Sequence, residues 1–319
     1  MNNKLKIWVI VIIIILFGAL IFCGIMSKLN WDFTKLSIVK YETNNYEIVD
    51  NYRNISIITD TADIEFVPSK NLNTLVVCYE EKNVNHSVIV KDNTLLIDVV
   101  NTKKWYEYIG INFGTPKITV YMPKGEYGNL VINSSTGDVN IAKDFVFESI
   151  EITQSTGDVI NHASVREAIK IMTSTGDICI ENIVANMLDF STSTGRIDIT
   201  KVNSSSDIRV NVSTGKTNII DTNCKNIISS GDTGDIYLEN VIASEKFSIE
   251  RDTGDVRFKS CDASDIFVKT DTGDVTGSFL TDKVFFAQSD TGRIDVPKIL
   301  ADEKCEIVTD TGDIKMFID

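Results

Sequence analysis

The sequence predicts an all-β protein: a single-stack β-solenoid (β-helix) of about ten coils of 19–20 residues, with an N-terminal β cap and one preceding transmembrane helix. Three observations support this prediction. They are a Thr-Gly pair that recurs at near-constant spacing, four rows of apolar residues in register with it, and an uncharged stretch near the N-terminus. Residues 1–28 are assigned to a cytoplasmic N-terminus and anchor, 29–45 to a stalk, 46–128 to the cap and 129–319 to the solenoid.

Ten Thr-Gly pairs recur along the chain with successive glycines 19 or 20 residues apart. A fixed period of this size is the sequence signature of a stacked-coil architecture. Glycine suits the turn in each coil because it adopts positive φ without a Cβ penalty. The ten glycines are Gly137, Gly157, Gly176, Gly195, Gly215, Gly234, Gly254, Gly273, Gly292 and Gly312.

Apolar residues occupy four positions of most repeats, seven and five residues before the glycine and two and four residues after it. In the first repeat they are Leu130, Ile132, Val139 and Ile141. This period-2 alternation is typical of half-buried strands, whose successive side chains point to opposite faces. A single coil cannot bury such rows, so we expect the coils to be stable only as a stacked array.

The two ends of the array differ from its middle. Residues 55–66 resemble a degenerate coil in which Ala62 replaces the glycine, and they fall in the predicted cap. The last repeat stops at Asp319 without an evident cap, so its strand edge is predicted to be open. Self-association through this open C-terminal coil is therefore one predicted partner contact.

The uncharged stretch covers residues 7–26, and twenty helical residues span roughly 30 Å, the thickness of a hydrocarbon core. Lys4 and Lys6 precede it, which favours a cytoplasmic N-terminus. The sequence therefore predicts a single-pass plasma-membrane protein with its solenoid outside the cytoplasm. A cleaved signal peptide is the alternative, although no small-x-small cleavage pattern follows Met26.

Charge and residue content exclude several function classes. The formal net charge of −14 argues against nucleic-acid binding, which needs clustered Lys and Arg. The six cysteines lack Cys-x-x-Cys spacing, and the only two histidines, His86 and His162, make no zinc-ligand pattern. The Asp-Thr-Gly turns resemble the aspartic-protease signature, but copies at coil spacing are explained as turns. No catalytic residue and no organic cofactor site are predicted, so the chain is not expected to be an enzyme.

Aspartates are concentrated at the turns of the distal repeats, two residues before the glycine and directly after it. Like charges stacked at about 4.8 Å repel each other, and a divalent cation would relieve this repulsion. Calcium is the natural candidate because it prefers carboxylate and carbonyl oxygens. The alternative is that these aspartates cap the turns and stay solvated. The predicted calcium ladder comprises Asp232, Asp235, Asp252, Asp255, Asp271, Asp274, Asp310 and Asp313.

The Ser/Asp-Thr-Gly-Asp-Val/Ile repeats are preceded by Leu-Leu-Ile-Asp-Val at residues 95–99 and Ile-Thr-Val-Tyr-Met-Pro at 118–123. With these segments the chain resembles the bacterial "putative adhesin" family, β-solenoid domains of unknown function, over about residues 46–319. The resemblance implies display on the surface of a bacterial membrane. It supplies no ligand and no catalytic residue.

Three functions remain open. The first is a non-enzymatic, adhesin-like binding or structural module that contacts a cell-surface protein or glycan. The second is an accessory or regulatory component of the cell-envelope stress response, which the resemblance implies because some family members are encoded beside stress regulators. The third is a carbohydrate-active enzyme on a β-helix. The near absence of insertions across ten repeats disfavours the cleft that such an enzyme needs.

Overall fold

The structure is a computed structural model that describes residues 3–32, 39–108 and 114–319. It confirms an all-β solenoid with an N-terminal β cap and one apolar N-terminal helix, α1 (Asn3–Lys28). The length and composition of Ile7–Lys28 fit a membrane span and also a signal sequence. Residues 33–38 of the predicted stalk lie outside the described residues.

Each coil has one strand before its turn and one strand after it. We number the coils 1 to 10 in sequence order, so that coil 1 turns at Gly137 and coil 10 at Gly312. The strands before the turns are β2 (Asn54–Thr61), β6 (Thr94–Asn101), β9 (Asn129–Thr136), β12 (Ser149–Thr156), β15 (Ala168–Thr175), β17 (Met187–Thr194), β19 (Asp207–Thr214), β23 (Asp265–Thr272), β25 (Val284–Thr291) and β27 (Lys304–Thr311). The strands after the turns are β3 (Asp63–Ser69), β7 (Lys117–Pro123), β10 (Val139–Ile141), β13 (Val159–Asn161), β16 (Ile178–Ala185), β18 (Ile197–Ser204), β22 (Val256–Cys261), β24 (Val275–Phe279), β26 (Ile294–Asp295) and β28 (Ile314–Ile318).

The other elements complete the coils or close the stack. β20 (Thr217–Thr233) and β21 (Ile236–Thr253) each run from one turn into the next. The short strands β8 (Gly125–Glu126), β11 (Phe145–Phe147) and β14 (Ser164–Val165) form a third side of the first coils. The cap strands are β1 (Tyr41–Ile48), β4 (Thr74–Glu81) and β5 (Val84–Lys91), and a single 3-10 turn spans Trp105–Tyr108.

Glycine is required at the turns for two reasons, and Gly234 illustrates both. Its φ of 136° lies in the region that side-chain-bearing residues rarely adopt. A Cβ on Gly234 would also lie 1.8 Å from the carbonyl oxygen of Gly215 in the neighbouring coil. The recurring glycine is therefore a requirement of coil-to-coil packing as well as of the turn.

The predicted apolar rows form one continuous core. Most of their members are fully buried, for example Leu130, Ile132, Ile227 and Ile314. Parallel pairing places identical repeat positions side by side, as Ile150 beside Ile169 shows. Burial of apolar surface along these ladders is thus shared between coils, which explains why the array is the stable unit.

The N-terminal end of the stack is closed. The degenerate coil that turns at Ala62 pairs with coil 1 on one side, as predicted, with Ile57 beside Ile132. On its other side it pairs with an outer coil made of β6 and β7. The free edges of that outer coil are covered by antiparallel β5 and β4, and β1 covers β4. No edge of the outer coil is left for a further parallel coil among the described residues.

The C-terminal end departs from sequence order. Strand β27 of coil 10 pairs with β23 of coil 8 on one edge and with β25 of coil 9 on the other. The prediction that the last coil is the open one is therefore wrong: coil 10 lies inside the stack, and coil 9 forms its open end. Repeats with the same inward apolar positions pack equally well in either order. The spacing of the repeats therefore could not predict that coils 9 and 10 are exchanged in the stack.

A second corner of the middle coils also requires left-handed backbone. Six residues after the glycine, five successive coils place a residue with φ between 50° and 58°. Asparagine and aspartate tolerate this conformation, whereas lysine and serine adopt it at a cost. The five residues are Asn182, Lys201, Asp221, Asn240 and Ser260.

Candidate functional site

The aspartates that follow the turn glycines form a hydrogen-bonded ladder. The Oδ1 atom of each accepts the backbone N–H of the equivalent residue in the next coil, for example Asp158 N–H to Asp138 Oδ1 at 2.8 Å. The first run starts at Asp63 of the Ala62 coil and ends at Arg196. The second starts at Asp235 and ends at Arg293. These carboxylates therefore satisfy backbone donors at the turns.

Basic residues stand at the ends of both runs. Arg196 lies 3.1 Å from Asp177, and Lys216 lies 3.1 Å from Asp235. They replace aspartate at the same repeat position and offset the charge of the adjacent carboxylate. Compensation of the charge at the ends of the runs therefore explains why three turns carry a basic residue in place of Asp.

The structure places the predicted calcium residues in two rows. Asp235, Asp255, Asp274 and Asp313 belong to the ladder, and each accepts a backbone N–H. Asp232, Asp252 and Asp310, from the row before the glycines, are exposed, and the fourth member of that row, Asp271, is paired with Lys269 at 3.3 Å. Backbone and lysine donors thus engage five of the eight carboxylates. Calcium binding by this ladder stays a prediction.

A polar row lies inside the turn, three residues before the glycine. Thr192 Oγ1 donates to the carbonyl oxygen of Gly176, and Thr309 Oγ1 donates to that of Gly273. The second bond joins coil 10 to coil 8, which are neighbours because coils 9 and 10 are exchanged in the stack. In the Ala62 coil this position is Thr59, whose hydroxyl lies 2.9 Å from Nε2 of His86 instead.

The cap contains a buried cluster of Cys78, Glu80 and His86. Cys78 and Glu80 alternate on the inward face of β4, and His86 lies on β5. One ligand atom from each, the Cys78 Sγ, a Glu80 carboxylate oxygen and a His86 ring nitrogen, lies within 4.8 Å of the other two. Cys78 and Glu80 have no exposed surface, and His86 is 5% exposed. Three metal-ligand side chains therefore meet in the buried interior of the cap.

Hydrogen bonds hold every polar member of this cluster. Nδ1 of His86 lies 2.6 Å from Oε2 of Glu80, and the same oxygen accepts the His86 backbone N–H at 2.7 Å. Asn44 Nδ2 donates to Oε1 of Glu80 at 2.7 Å, and Tyr46 donates to the His86 carbonyl. Burial raises the pKa of the Cys78 thiol to about 12, and the charge of Glu80 adds to the effect.

A cavity of about 310 Å³ adjoins the cluster on the Thr59 side. Thr59, His86, Val99 and Pro116 line it, together with the ion pair between Glu81 and Lys103. A carboxylate, an imidazole and a hydroxyl lie in line here, as in the triads of serine hydrolases. They belong to Glu80, His86 and Thr59. Thr59, however, occupies the inward row whose hydroxyls elsewhere bond the turn carbonyls, so a structural role explains it.

This cluster is not among the predicted site residues. The only two histidines, His86 and His162, make no zinc-ligand pattern in the sequence. One signal was available: Glu80 continues the inward alternation of Val76 and Cys78, where an acidic residue is unexpected without a partner. The partner comes from the next strand, and only the β4–β5 geometry shows which residue it is.

Comparison with known protein families decides the family. The Toastrack family model, DUF4097, matches residues 52–211, about half of the chain. The chain belongs to the Toastrack family. The matched Toastrack region runs from the Ala62 coil to coil 5 and contains all three residues of the cap cluster.

Solved structures resemble this Toastrack chain at low sequence identity. One is described as a putative adhesin from Bacteroides fragilis; it is 17% identical, with coverage of 87% of this chain and 97% of its own and a TM-score of 0.43. Another, from Parabacteroides distasonis, is described as a putative lipid binding protein; it is 18% identical, with coverage of 74% and 94% and a TM-score of 0.49. No curated protein matches the chain.

The open end of the solenoid lies outside the matched Toastrack region. Among the residues that the structure describes, coil 9 pairs with coil 10 only, so one edge of β25 and of β26 has no strand partner there. Its inward residues Phe285 and Ala287 are only partly buried, and Phe286 is 59% exposed. Backbone donors and acceptors and apolar side chains are therefore exposed together at this end.

Proposed function

We propose that the chain is a membrane-anchored, extracytoplasmic rod that acts as a non-enzymatic, adhesin-like binding module at the bacterial cell surface. The open edge of coil 9 is the observation that carries this proposal. Natural sheets usually protect their edges with charges, proline or a covering segment, because an unpaired edge pairs with other chains. The edge strand β25 carries no charge from Val284 to Ser289, and such an edge at one end of a rod that is closed at the other fits a contact surface.

A second copy of the chain is the partner that fits this edge best. The first six residues of β25, Val284 to Ser289, carry no charge, so two such strands pair without like-charge repulsion. Because antiparallel β4 and β5 cover the strands of the outer coil, head-to-tail stacking of rods has no parallel coil edge to accept it among the described residues. A two-fold contact between two coil-9 edges is therefore the favoured arrangement.

The regular stack supports a binding role over a catalytic one. From coil 1 to coil 8 the turns follow each other at 19 or 20 residues, and no loop is long enough to build a cleft over the rod. The apolar helix α1 supports anchoring at the opposite end of the sequence. A cell-surface protein or glycan bound along the rod is the wider form of the same proposal.

The oligomeric state tests the contact between copies. The full chain in detergent micelles should be dimeric by light scattering, with a mass that falls on dilution. Phe286→Lys should give a monomer because it places a charge on the unpaired edge. Phe267→Lys changes the equivalent outward position of coil 8, where both strand edges are paired, and should stay dimeric. A monomer at all concentrations, or a dimer that Phe286→Lys leaves intact, contradicts the contact.

Cells that lack the gene test the wider proposal. We expect reduced surface adhesion with an unchanged envelope-stress reporter, and restoration of adhesion by the wild-type chain. A shifted reporter with unchanged adhesion would instead support the stress-accessory function and contradict the adhesin-like one.

A further inference from the structure

We propose that Cys78, Glu80 and His86 form a zinc-binding site inside the cap. Thiolate, carboxylate and imidazole are the three side-chain ligand types that Zn²⁺ takes in proteins. All three ligand atoms already lie within 4.8 Å of one another in the buried cluster. A small contraction around one ion would bring them to bonding distance.

The present hydrogen bonds indicate where the ion binds. Nδ1 of His86 and Oε2 of Glu80 are hydrogen-bonded at 2.6 Å, and the Cys78 thiol is close to both. Zn²⁺ takes the place of the proton in this hydrogen bond. The imidazole then binds through Nδ1 and carries its proton on Nε2, while the thiol loses its proton to solvent. Binding therefore releases at least one proton and weakens as the pH falls.

Charge balance favours a divalent ion at this depth. One thiolate and one carboxylate neutralise Zn²⁺, so the occupied site has no net charge, which a fully buried position requires. The hydrogen bonds around the ligands are those of a metal site. Asn44 fixes the second carboxylate oxygen of Glu80, and Thr59 faces Nε2 of His86. Such outer contacts orient the ligands of natural zinc sites.

The site has a structural consequence for the cap. Cys78 and Glu80 lie on β4 and His86 on β5, the two antiparallel strands that cover the outer coil. The backbone pairing between these strands is limited, among the described residues, to Glu81 and Val84. An ion held by both strands therefore joins the two halves of the cover, and its loss loosens the N-terminal end of the stack.

Cobalt titration of the full chain in detergent micelles, after removal of metals with EDTA, tests the site. We expect one Co²⁺ per chain with a near-ultraviolet thiolate-to-cobalt charge-transfer band, and displacement of the ion by Zn²⁺. Cys78→Ser should abolish the band, and His86→Gln should weaken Zn²⁺ binding by at least about 100-fold. Bound Zn²⁺ should also raise the melting temperature of the chain.

Matched variants separate this site from others in the chain. Cys261→Ser removes a thiol that is equally buried but distant from the cluster, and His162→Gln removes the second histidine; both should bind Zn²⁺ as the wild type does. If Cys78→Ser fails to fold, Asn44→Ala leaves all three ligands in place and should weaken binding about tenfold. A wild-type chain that binds no Co²⁺, or a band that survives in Cys78→Ser, overturns the proposal.

Discussion

Gly231 and Arg251 are complementary residues in neighbouring coils of the core: a Cβ on Gly231 would lie 2.1 Å from Nη1 of Arg251. The guanidinium crosses the position that Gly231 leaves empty and donates Nη2 hydrogen bonds to Thr217 and Ser229. Arg251 is 3% exposed, and its Nε and Nη1 have no hydrogen-bond partner among the described residues. Burial lowers the pKa of Arg251 to about 10, partly opposed by the charge of Asp232.

This lowered pKa means that the folded chain binds the Arg251 proton less tightly than the unfolded chain does, so the buried charge destabilises the fold at neutral pH. Arg251→Met keeps the volume and removes the unpaired donors, and we expect a gain of about 1–2 kcal/mol in the free energy of unfolding. Urea denaturation measures it. The exposed Arg257→Met should change stability by less than about 0.5 kcal/mol; an equal effect of both variants would contradict the argument.

Lys201 is a second residue whose replacement should stabilise the chain. Its φ of 53° is left-handed, and the same corner of coils 3 and 6 has asparagine. Lys201→Asn should therefore raise the free energy of unfolding by about 0.5–1 kcal/mol, because asparagine adopts this conformation at lower cost. Lys170→Asn, within strand β15, is the control and should not stabilise. Thermal unfolding monitored by circular dichroism compares the two.

Asp235 at the start of the second ladder run should contribute to acid sensitivity. Burial alone would raise its pKa, but the hydrogen bonds from Lys216 and from the Asp255 backbone lower it below the usual value. A carboxyl with a lowered folded pKa stabilises the fold above about pH 4, and this contribution is lost as the pH falls through the folded value. Asp235→Asn should therefore lose less stability than the wild type between about pH 5 and pH 2. The exposed Asp252→Asn is the matched control, and identical acid profiles for Asp235→Asn and the wild type would contradict this role.

The calcium hypothesis for the distal aspartates makes a separate prediction. If the ladder binds Ca²⁺, millimolar Ca²⁺ should raise the melting temperature of the full chain and chelator should reverse the shift. Replacing the exposed pair Asp232 and Asp252 with asparagine should then reduce the shift. The same melting temperature with Ca²⁺ and with chelator would exclude the hypothesis and leave Asp235, Asp255, Asp274 and Asp313 as acceptors of backbone N–H groups.

Periodicity was sufficient to predict the middle of the molecule. The spacing of the glycines gives the coil length, and the alternation around them gives the inward rows. Both hold for the whole array because equivalent residues of successive coils pack in the same way. The Ala62 coil was predicted in the same way, since Ala62 keeps the position of a turn glycine and Asp63 that of a ladder aspartate.

The ends and the cap cluster could not be predicted by the same reasoning. Phe285 and Cys305 occupy the same row and pair with each other, so nothing in the repeat says which coil lies further out. The meeting of Glu80 with His86 depends on an antiparallel connection that has no repeat to follow. These contacts depend on which particular strands pair with each other, and the spacing of the repeats does not predict that pairing.

The position of coil 10 between coils 8 and 9 has a consequence for biosynthesis. Among the described residues coil 9 pairs with coil 10 alone, and it leaves the ribosome first, so its strands have no partner until coil 10 has been made. Both edges of coil 10 are then occupied, so a further repeat would extend the stack only by pairing with the open edge of coil 9. Such a repeat would be separated in the stack from coil 10, the coil that precedes it in the sequence.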